Sequence, residues 1–190
     1  MEEQTSTTAT TSAAPTLVNH AVKSGATIGV IGIILTLLFY VIDYTLLADW
    51  KIGILMILIF LGALIYVGIR YRNSVGGFLP YGKAFQHGFL TLVVAGFIGI
   101  LFNIILYNVI DTSLPENLTE ATIEKTEQMM QGFGAPEDKI EEAVEKMRED
   151  MPKNYSVGGQ LKTFLWALLV YAVISAITSL FVKKNQPETF

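Results

Sequence analysis

The sequence predicts an all-α, polytopic membrane protein with four transmembrane helices as two hairpins and a helical soluble hairpin inserted between helices 3 and 4. Three observations predict this fold class. Of 190 residues, 52% are hydrophobic and only 16% are charged, against roughly 25% charge in average soluble domains. The apolar residues form four long stretches, and most acidic residues lie between the third and the fourth stretch.

The amino-terminal segment, residues 1–19, is rich in Thr, Ser and Ala and poor in large apolar side chains. Because it buries too little apolar surface to offset the entropy of ordering, we expect a disordered cytoplasmic tail. A cleavable signal peptide is not expected, since the start is acidic and the apolar stretch that follows is too long. Residues 20–190 are expected to form a single four-span membrane domain.

Each apolar stretch has 22 to 24 residues. At about 1.5 Å per residue, that length crosses the roughly 30 Å hydrocarbon core of a bilayer. Buried helices of soluble proteins are a poor match, because they average about 11 to 12 residues. The predicted spans are residues 24–47, 50–71, 88–110 and 161–182.

Positive charge predicts the orientation of the spans. Cytoplasmic loops carry an excess of Lys and Arg, so both termini are expected in the cytoplasm and loop 111–160 is expected to be extracytoplasmic. Six residues flank the cytoplasmic side and three flank the other. The six are Lys23, Arg70, Arg72, Lys83, Lys183 and Lys184, and the three are Lys51, Lys153 and Lys162.

The loop over residues 111–160 holds twelve Asp or Glu and five Lys or Arg. Pro136 suits a first helical turn and two acids follow it, which predicts a helix over 136–151. A weaker helix is predicted over 119–131. On the helix predicted over 136–151, apolar residues recur at three- and four-residue steps. Such an apolar stripe is expected to pack against another protein surface. This candidate interaction stripe, for a protein partner or a second copy, is Ile140, Val144, Met147 and Met151.

A short motif leads into the third span: Tyr81-Gly82-Lys83-Ala84-Phe85-Gln86-His87-Gly88-Phe89. This Tyr-x-x-Ala-Phe-x-x-Gly-Phe pattern, with the order of parts from about Val22 to Lys184, resembles the bacterial membrane family called domain of unknown function 4199. The resemblance implies the four-span topology and residence in the bacterial inner membrane. It implies no reaction, substrate, cofactor or catalytic residue.

Small and polar residues share one face of three predicted spans. Their spacing favours a packing seam, where helix backbones approach closely. The functional alternative is a polar path along spans 1 and 3. The candidate residues are Gly25, Gly29, Gly32 and Asp43 in span 1, Gly96, Gly99, Asn103 and Tyr107 in span 3, and Ser175 and Ser179 in span 4.

Few ionisable groups lie in the spans. Asp43 is a functional hypothesis by default, but its place near the outer end of span 1 also allows an ion pair with Lys162. His87, close to Lys83 at the inner interface, is expected near lipid headgroups, with a proton relay as the alternative. The two histidines are expected to be separated by most of a span, which makes a poor metal site.

No motif for catalysis is visible: the chain has no cysteine, phosphate-binding glycine loop, nucleophile elbow or zinc-protease helix. We therefore expect no enzyme activity, no cofactor and no bound metal. A net charge of −4 gives no sign of a nucleic-acid partner. The leading expectation is a noncatalytic membrane scaffold or interaction protein in the lipid bilayer, acting through its outer helical loop. The alternative is a small transporter or channel subunit.

Overall fold

The computed structural model describes residues 15–187, and this part of the chain is helical, without strands. Six α-helices follow in order: α1 Leu17–Asp43, α2 Trp50–Ser74, α3 Tyr81–Ile105, α4 Leu114–Gly132, α5 Glu137–Tyr155 and α6 Val157–Val182. A 3-10 turn, Tyr44–Ala48, continues α1, and a π-helical turn, Leu106–Ile110, continues α3.

Four of these helices are long and apolar enough to cross a membrane: α1 and α3 with their terminal turns, α2 and α6. Their most apolar windows have mean hydropathies of 2.4, 2.6, 2.8 and 2.2 in that order, and only 11 to 22% of the residues in each window are buried. Large side chains such as Leu58 and Leu169 are 60% exposed. Soluble monomers rarely leave so continuous an apolar surface uncovered, so this surface is suited to lipid.

Three of the four spanning helices begin earlier than hydrophobicity alone predicts, whereas α2 begins at its predicted residue, Trp50. α1 begins at Leu17, inside the segment expected to be a tail, and Thr16 caps it by accepting a hydrogen bond from the Asn19 N–H at 3.3 Å. α3 begins at Tyr81, two turns before its predicted start. Polar first turns continue a helix without adding to its apolar stretch, which is why the pattern missed them. The rest of the predicted tail, residues 1–14, lies outside the described residues.

The central helix of the bundle is α3, which packs along α1 and α6, while α2 packs mainly along α6. α1 runs parallel to α3, because His20 meets His87 near both helix starts and Tyr40 meets Asp111 near both ends. Although α1 and α2 are consecutive, they touch little. The predicted arrangement of the spans as two hairpins is therefore not confirmed.

One end of the bundle gathers the starts of α1 and α3 and the ends of α2 and α6, and we call it the histidine end. Arg72 Nη1 donates to the Val182 carbonyl at 2.9 Å, and Leu79 forms an isolated antiparallel bridge with Lys184. The buried side chains at this end pack together in one cluster: Tyr71, Leu79, Ala84 and Val182. The histidine end is therefore a tightly packed core.

At the opposite end, α4 and α5 pack against each other, and we call this the α4–α5 end. α4 begins at Leu114 rather than at residue 119, because Asp111 Oδ1 accepts the Ser113 and Leu114 N–H groups at 3.1 Å and Pro115 fits the first turn. Leu114 and Leu118 are buried against Leu106 in a second core cluster. α5 reaches Tyr155, beyond its predicted end at residue 151.

Candidate functional site

A cavity of about 430 Å³ lies between α1, α2, α3 and α6, in the part of the bundle toward the α4–α5 end. Among the described residues, its lining is apolar except for three uncharged polar side chains, Thr36, Asn103 and Tyr171. A volume of this size falls within the range of roughly 300 to 1,000 Å³ typical of ligand pockets. The cavity is therefore suited to an apolar molecule with a single hydrogen-bonding group.

The cavity exists because α2 leans away from the bundle. The buried residues of α2, Leu64, Gly68 and Tyr71, all lie in its second half. There a Cβ on Gly68 would come within 2.8 Å of Val182. In the first half, a Cβ on Gly53 would meet nothing within 4 Å. α2 is thus held closely at the histidine end and packs more loosely where it borders the cavity.

The glycines of α1 divide into two groups. Gly25 and Gly29 lie against α3, where a Cβ on Gly25 would come within 2.6 Å of the Thr91 carbonyl oxygen and one on Gly29 within 3.0 Å of Ile98 Cβ. This close approach forms a seam between α1 and α3, and Gly29 also borders the cavity. Thr36 of span 1 and Asn103 of span 3 both line the cavity.

The remaining predicted glycines border the cavity. Gly32 lies opposite Phe60, where a Cβ would make an ordinary contact at 3.5 Å. A Cβ on Gly99 would meet nothing within 4 Å, whereas one on Gly96 would collide with the Tyr171 ring. The absence of a side chain at Gly96 therefore makes room for the Tyr171 ring, which lines the cavity. The absence of a side chain at Gly99 leaves part of the cavity unfilled. The structure also places Asn103 in this lining.

Asp43 caps the 3-10 turn, since its Oδ1 accepts the Thr45 N–H at 2.9 Å. The expected ion pair with Lys162 is not formed among the described residues, because α3 lies between α1 and α6. Near this turn the ion pair forms between Asp49 and Lys125 of α4, with 2.9 Å between Asp49 Oδ2 and Lys125 Nζ. Lys125 also donates to the Thr45 carbonyl at 3.0 Å. The ammonium group of Lys125 is the main reason that the pKa of Asp49 lies below its usual value.

Asp111 joins the end of α3 to both α1 and α4. Its side chain accepts the Ser113 hydroxyl at 2.6 Å and the Tyr40 hydroxyl at 2.9 Å, and these bonds lower the pKa of Asp111, with Ser113 contributing most. Tyr107 packs edge-on against Tyr155, with ring centroids 5.2 Å apart. Tyr107 thus joins α3 to the end of α5.

Contrary to the expected separation, the two histidines are in direct contact. His20 Nδ1 lies 2.8 Å from His87 Nε2, so one ring donates a hydrogen bond to the other. The sequence held a signal for this pairing: each histidine lies within two turns of the start of an odd-numbered span. Such spans start on the same side of a membrane, which places the two rings at similar depth.

His87 is only 1% exposed, so its expected position beside lipid headgroups is wrong. The Tyr71 ring stacks on it at 4.7 Å, with 7° between the planes, and Ser24 Oγ lies 3.3 Å from His20 Nδ1. Within residues 15–187, His87 Nδ1 is buried without a hydrogen-bond partner. Among the described residues, no third His, Cys, Asp or Glu joins the pair to complete a metal site.

On α6, Ser175 and Ser179 are fully buried. Ser179 Oγ donates to the Ser175 carbonyl, while Ser175 Oγ finds no hydrogen-bond partner in the described part of the chain. A Cβ on Gly88 would lie 3.6 Å from Ser175 Oγ, in ordinary contact. These small side chains let α6 approach α3 closely beside the histidine pair.

The apolar stripe on α5 faces its own chain. Ile140 is 9% exposed, and Val144, Met147 and Met151 are half-buried, because α5 packs on α4 and α6. Ile140 therefore packs within the molecule, and the other three stripe residues keep part of their surface exposed.

Comparison with known proteins gives a family but no activity. The family model described as protein of unknown function (DUF4199) matches residues 23–184, which include nearly all of the four candidate spans and the whole of α4 and α5. No curated protein and no solved structure matches the chain. Because the match covers most of the chain, this protein belongs to the DUF4199 family.

Proposed function

We propose that this protein is a noncatalytic, multi-pass protein of the bacterial cytoplasmic membrane that binds an apolar ligand in the cavity between α1, α2, α3 and α6. The observation that carries the proposal is the composition of the cavity lining. Within residues 15–187, the lining offers a long apolar surface and only three hydrogen-bonding side chains, Thr36, Asn103 and Tyr171. A charged ligand would lose its hydration there without gaining a counter-charge.

The proposed topology places the histidine end in the cytoplasm and the α4–α5 pair outside, as a helical insertion. It is supported by the charges at the ends of the candidate spans, since Lys23, Arg72, Lys83 and Lys183 all lie at or near the histidine end. Excess positive charge marks the cytoplasmic side. A membrane-impermeant maleimide should therefore label Asp138→Cys in intact cells and Lys184→Cys only after lysis. The reverse pattern would contradict the orientation.

The ligand class follows from where the cavity lies. Because α1 and α2 touch little and α2 leans away, the cavity borders the surface that the bilayer would cover. An elongated lipid-like molecule can reach it sideways from the membrane, with a hydroxyl or carbonyl group directed to Asn103. The absence of charge among the described lining residues argues against ions as ligands, and the small number of polar side chains there argues against sugars, whose hydroxyl groups would lose hydrogen bonds.

Photolabelling with a long-chain alcohol that carries a diazirine tests this proposal. In reconstituted protein, the probe should label the helices around the cavity, and Gly99→Leu should reduce this labelling several-fold by filling open space. Gly62→Leu is the matched control, because a Cβ there also meets nothing within 4 Å but Gly62 is exposed on α2 outside the lining. Equal labelling of both variants would contradict the proposal.

The other two expectations have less support. A scaffold that acts through the α5 stripe would need that stripe to be free, whereas Ile140 is buried within the chain. A polar transport path along spans 1 and 3 would have to pass the seam where Gly25 and Gly29 lie against α3. Ligand binding in the cavity requires neither a free α5 stripe nor a passage through the seam, and for this reason we prefer it.

A further inference from the structure

The tip of the α4–α5 pair carries the most exposed large apolar side chain among the described residues. Phe133 is 84% exposed. It lies between Gly132 and Gly134, and Gly134 has a φ of +72°, a conformation that glycine adopts at little cost. The turn therefore keeps the Phe133 side chain exposed, although the hydrophobic effect would favour its burial.

The tip has a fixed position relative to the spans. Lys125 binds Asp49 at 2.9 Å and the Thr45 carbonyl at 3.0 Å, which fixes α4 against the turn between α1 and α2. Beyond that point, Met129 and Phe133 line a shallow surface groove together with Trp50 at the start of α2. The tip thus lies beside the end of a candidate span.

We propose that Phe133 and Met129 insert into the headgroup region of the outer leaflet beside Trp50, so that the tip of the α4–α5 pair is a lipid contact. This inference requires the proposed membrane topology but not the proposed ligand. The partner is the bilayer because the apolar surface is continuous: from Trp50 it extends along α2 through the exposed side chains of Ile54 and Leu58.

The chemistry of the tip suits a bilayer interface. Aromatic side chains concentrate at the level of the headgroups. The polar residues that share the groove, Asp49, Lys51, Lys125 and Gln128, would stay in the hydrated layer and limit the depth of insertion. The tip therefore contacts the interface without crossing it.

Spin labels test the inference directly, because the chain has no native cysteine. Phe133→Cys, Leu58→Cys and Asp138→Cys are labelled one at a time in phosphatidylcholine and phosphatidylglycerol vesicles. Collisions with oxygen are compared with collisions with a water-soluble nickel complex. We expect the label at 133 to be shielded from nickel, at a depth between that of the label at 58 and that of the aqueous label at 138.

A label at 133 as open to nickel as the label at 138 would overturn the inference. If the label at 58 were also open to nickel, the membrane topology itself would fail, so the two failures are distinguishable. Spin–spin broadening at 133 that disappears on mixing with unlabelled protein would assign the tip to contact between copies, which also overturns the inference.

A second measurement avoids placing the label on Phe133. A label at Met129→Cys should be shielded from nickel in the parent and should become exposed to it when Phe133→Asp is added. Because Phe133 is almost fully exposed, this aspartate should leave the melting temperature in detergent unchanged. If the accessibility of position 129 does not change, the phenylalanine does not anchor the tip and the inference is overturned.

Discussion

The two ends of the bundle are built from the same four helices but differ in packing. At the histidine end, Gly25, Gly68 and Ser175 let the backbones approach closely around the contact between half-buried His20 and buried His87. Toward the α4–α5 end, α2 leans away and leaves a cavity of about 430 Å³. Small side chains on facing helices allow close packing at the histidine end. The lack of close partners on α2 leaves space toward the α4–α5 end.

The largest effect is expected from filling the seam. Gly25→Leu should lower the free energy of unfolding by about 1 to 3 kcal/mol or more, because its Cβ would meet the Thr91 backbone, which cannot rotate aside. Unfolding by sodium dodecyl sulfate in mixed micelles measures the change. Gly62→Leu, in open space, is the control. Equal stability of the two variants would mean that the histidine end is not tightly packed.

The histidine pair should contribute the next largest effect. His20→Ala removes the partner of His87 Nε2, and an unpaired buried polar atom costs about 1 to 3 kcal/mol. In a His87→Phe background, which retains an aromatic ring against Tyr71, the same change should cost much less. The comparison forms a double-mutant cycle in the same unfolding assay. Strictly additive losses would mean that the 2.8 Å contact does not stabilise the fold.

Acidic pH should weaken the contact that holds α4 at the α4–α5 end. The pKa of Asp49 is lowered chiefly by Lys125, and a lowered carboxyl pKa stabilises the native state above the ordinary value of about 3.9. This stabilisation is lost as pH falls through the native pKa below it. Hydrogen exchange in α4 should therefore rise in that range.

Two variants give the controls for this pH effect. In the Asp49→Asn variant, hydrogen exchange in α4 should be faster at neutral pH. The increase in exchange that the parent shows on protonation of Asp49 should be absent. Asp138→Asn, on the exposed surface of α5, should behave like the parent. An identical acid response in parent and Asp49→Asn would show that the ion pair does not hold α4 in place.

The smallest effect on stability is expected at the cavity. Asn103→Leu should change the free energy of unfolding by only about 0.6 kcal/mol, the average for interhelical polar contacts in membranes. It should nevertheless weaken photolabelling by the long-chain alcohol and leave labelling by the corresponding alkane unchanged. Loss of both signals would assign Asn103 to shaping the cavity rather than to binding a hydroxyl group.

Most individual helices could be predicted because their signals are local. Hydrophobic length located the four candidate spans, and Pro136 with the acids after it located α5. The weaker helix predicted over 119–131 missed the start of α4, because Asp111 provides the cap from outside that window. The pairing of Asp43 with Lys162 failed for a different reason: it required α1 beside α6, and chain order does not specify helix neighbours.

The sequence by itself determined that the chain forms long apolar helices with an acidic helical segment between the last two, because hydrophobicity and helix caps act within a few turns. Only the tertiary structure decided that His20 meets His87, that Lys125 binds Asp49, and that Asn103 borders a cavity. These contacts join residues 67 and 76 positions apart in the first two cases. They depend on which helices pack side by side, and close packing between small side chains settles that choice.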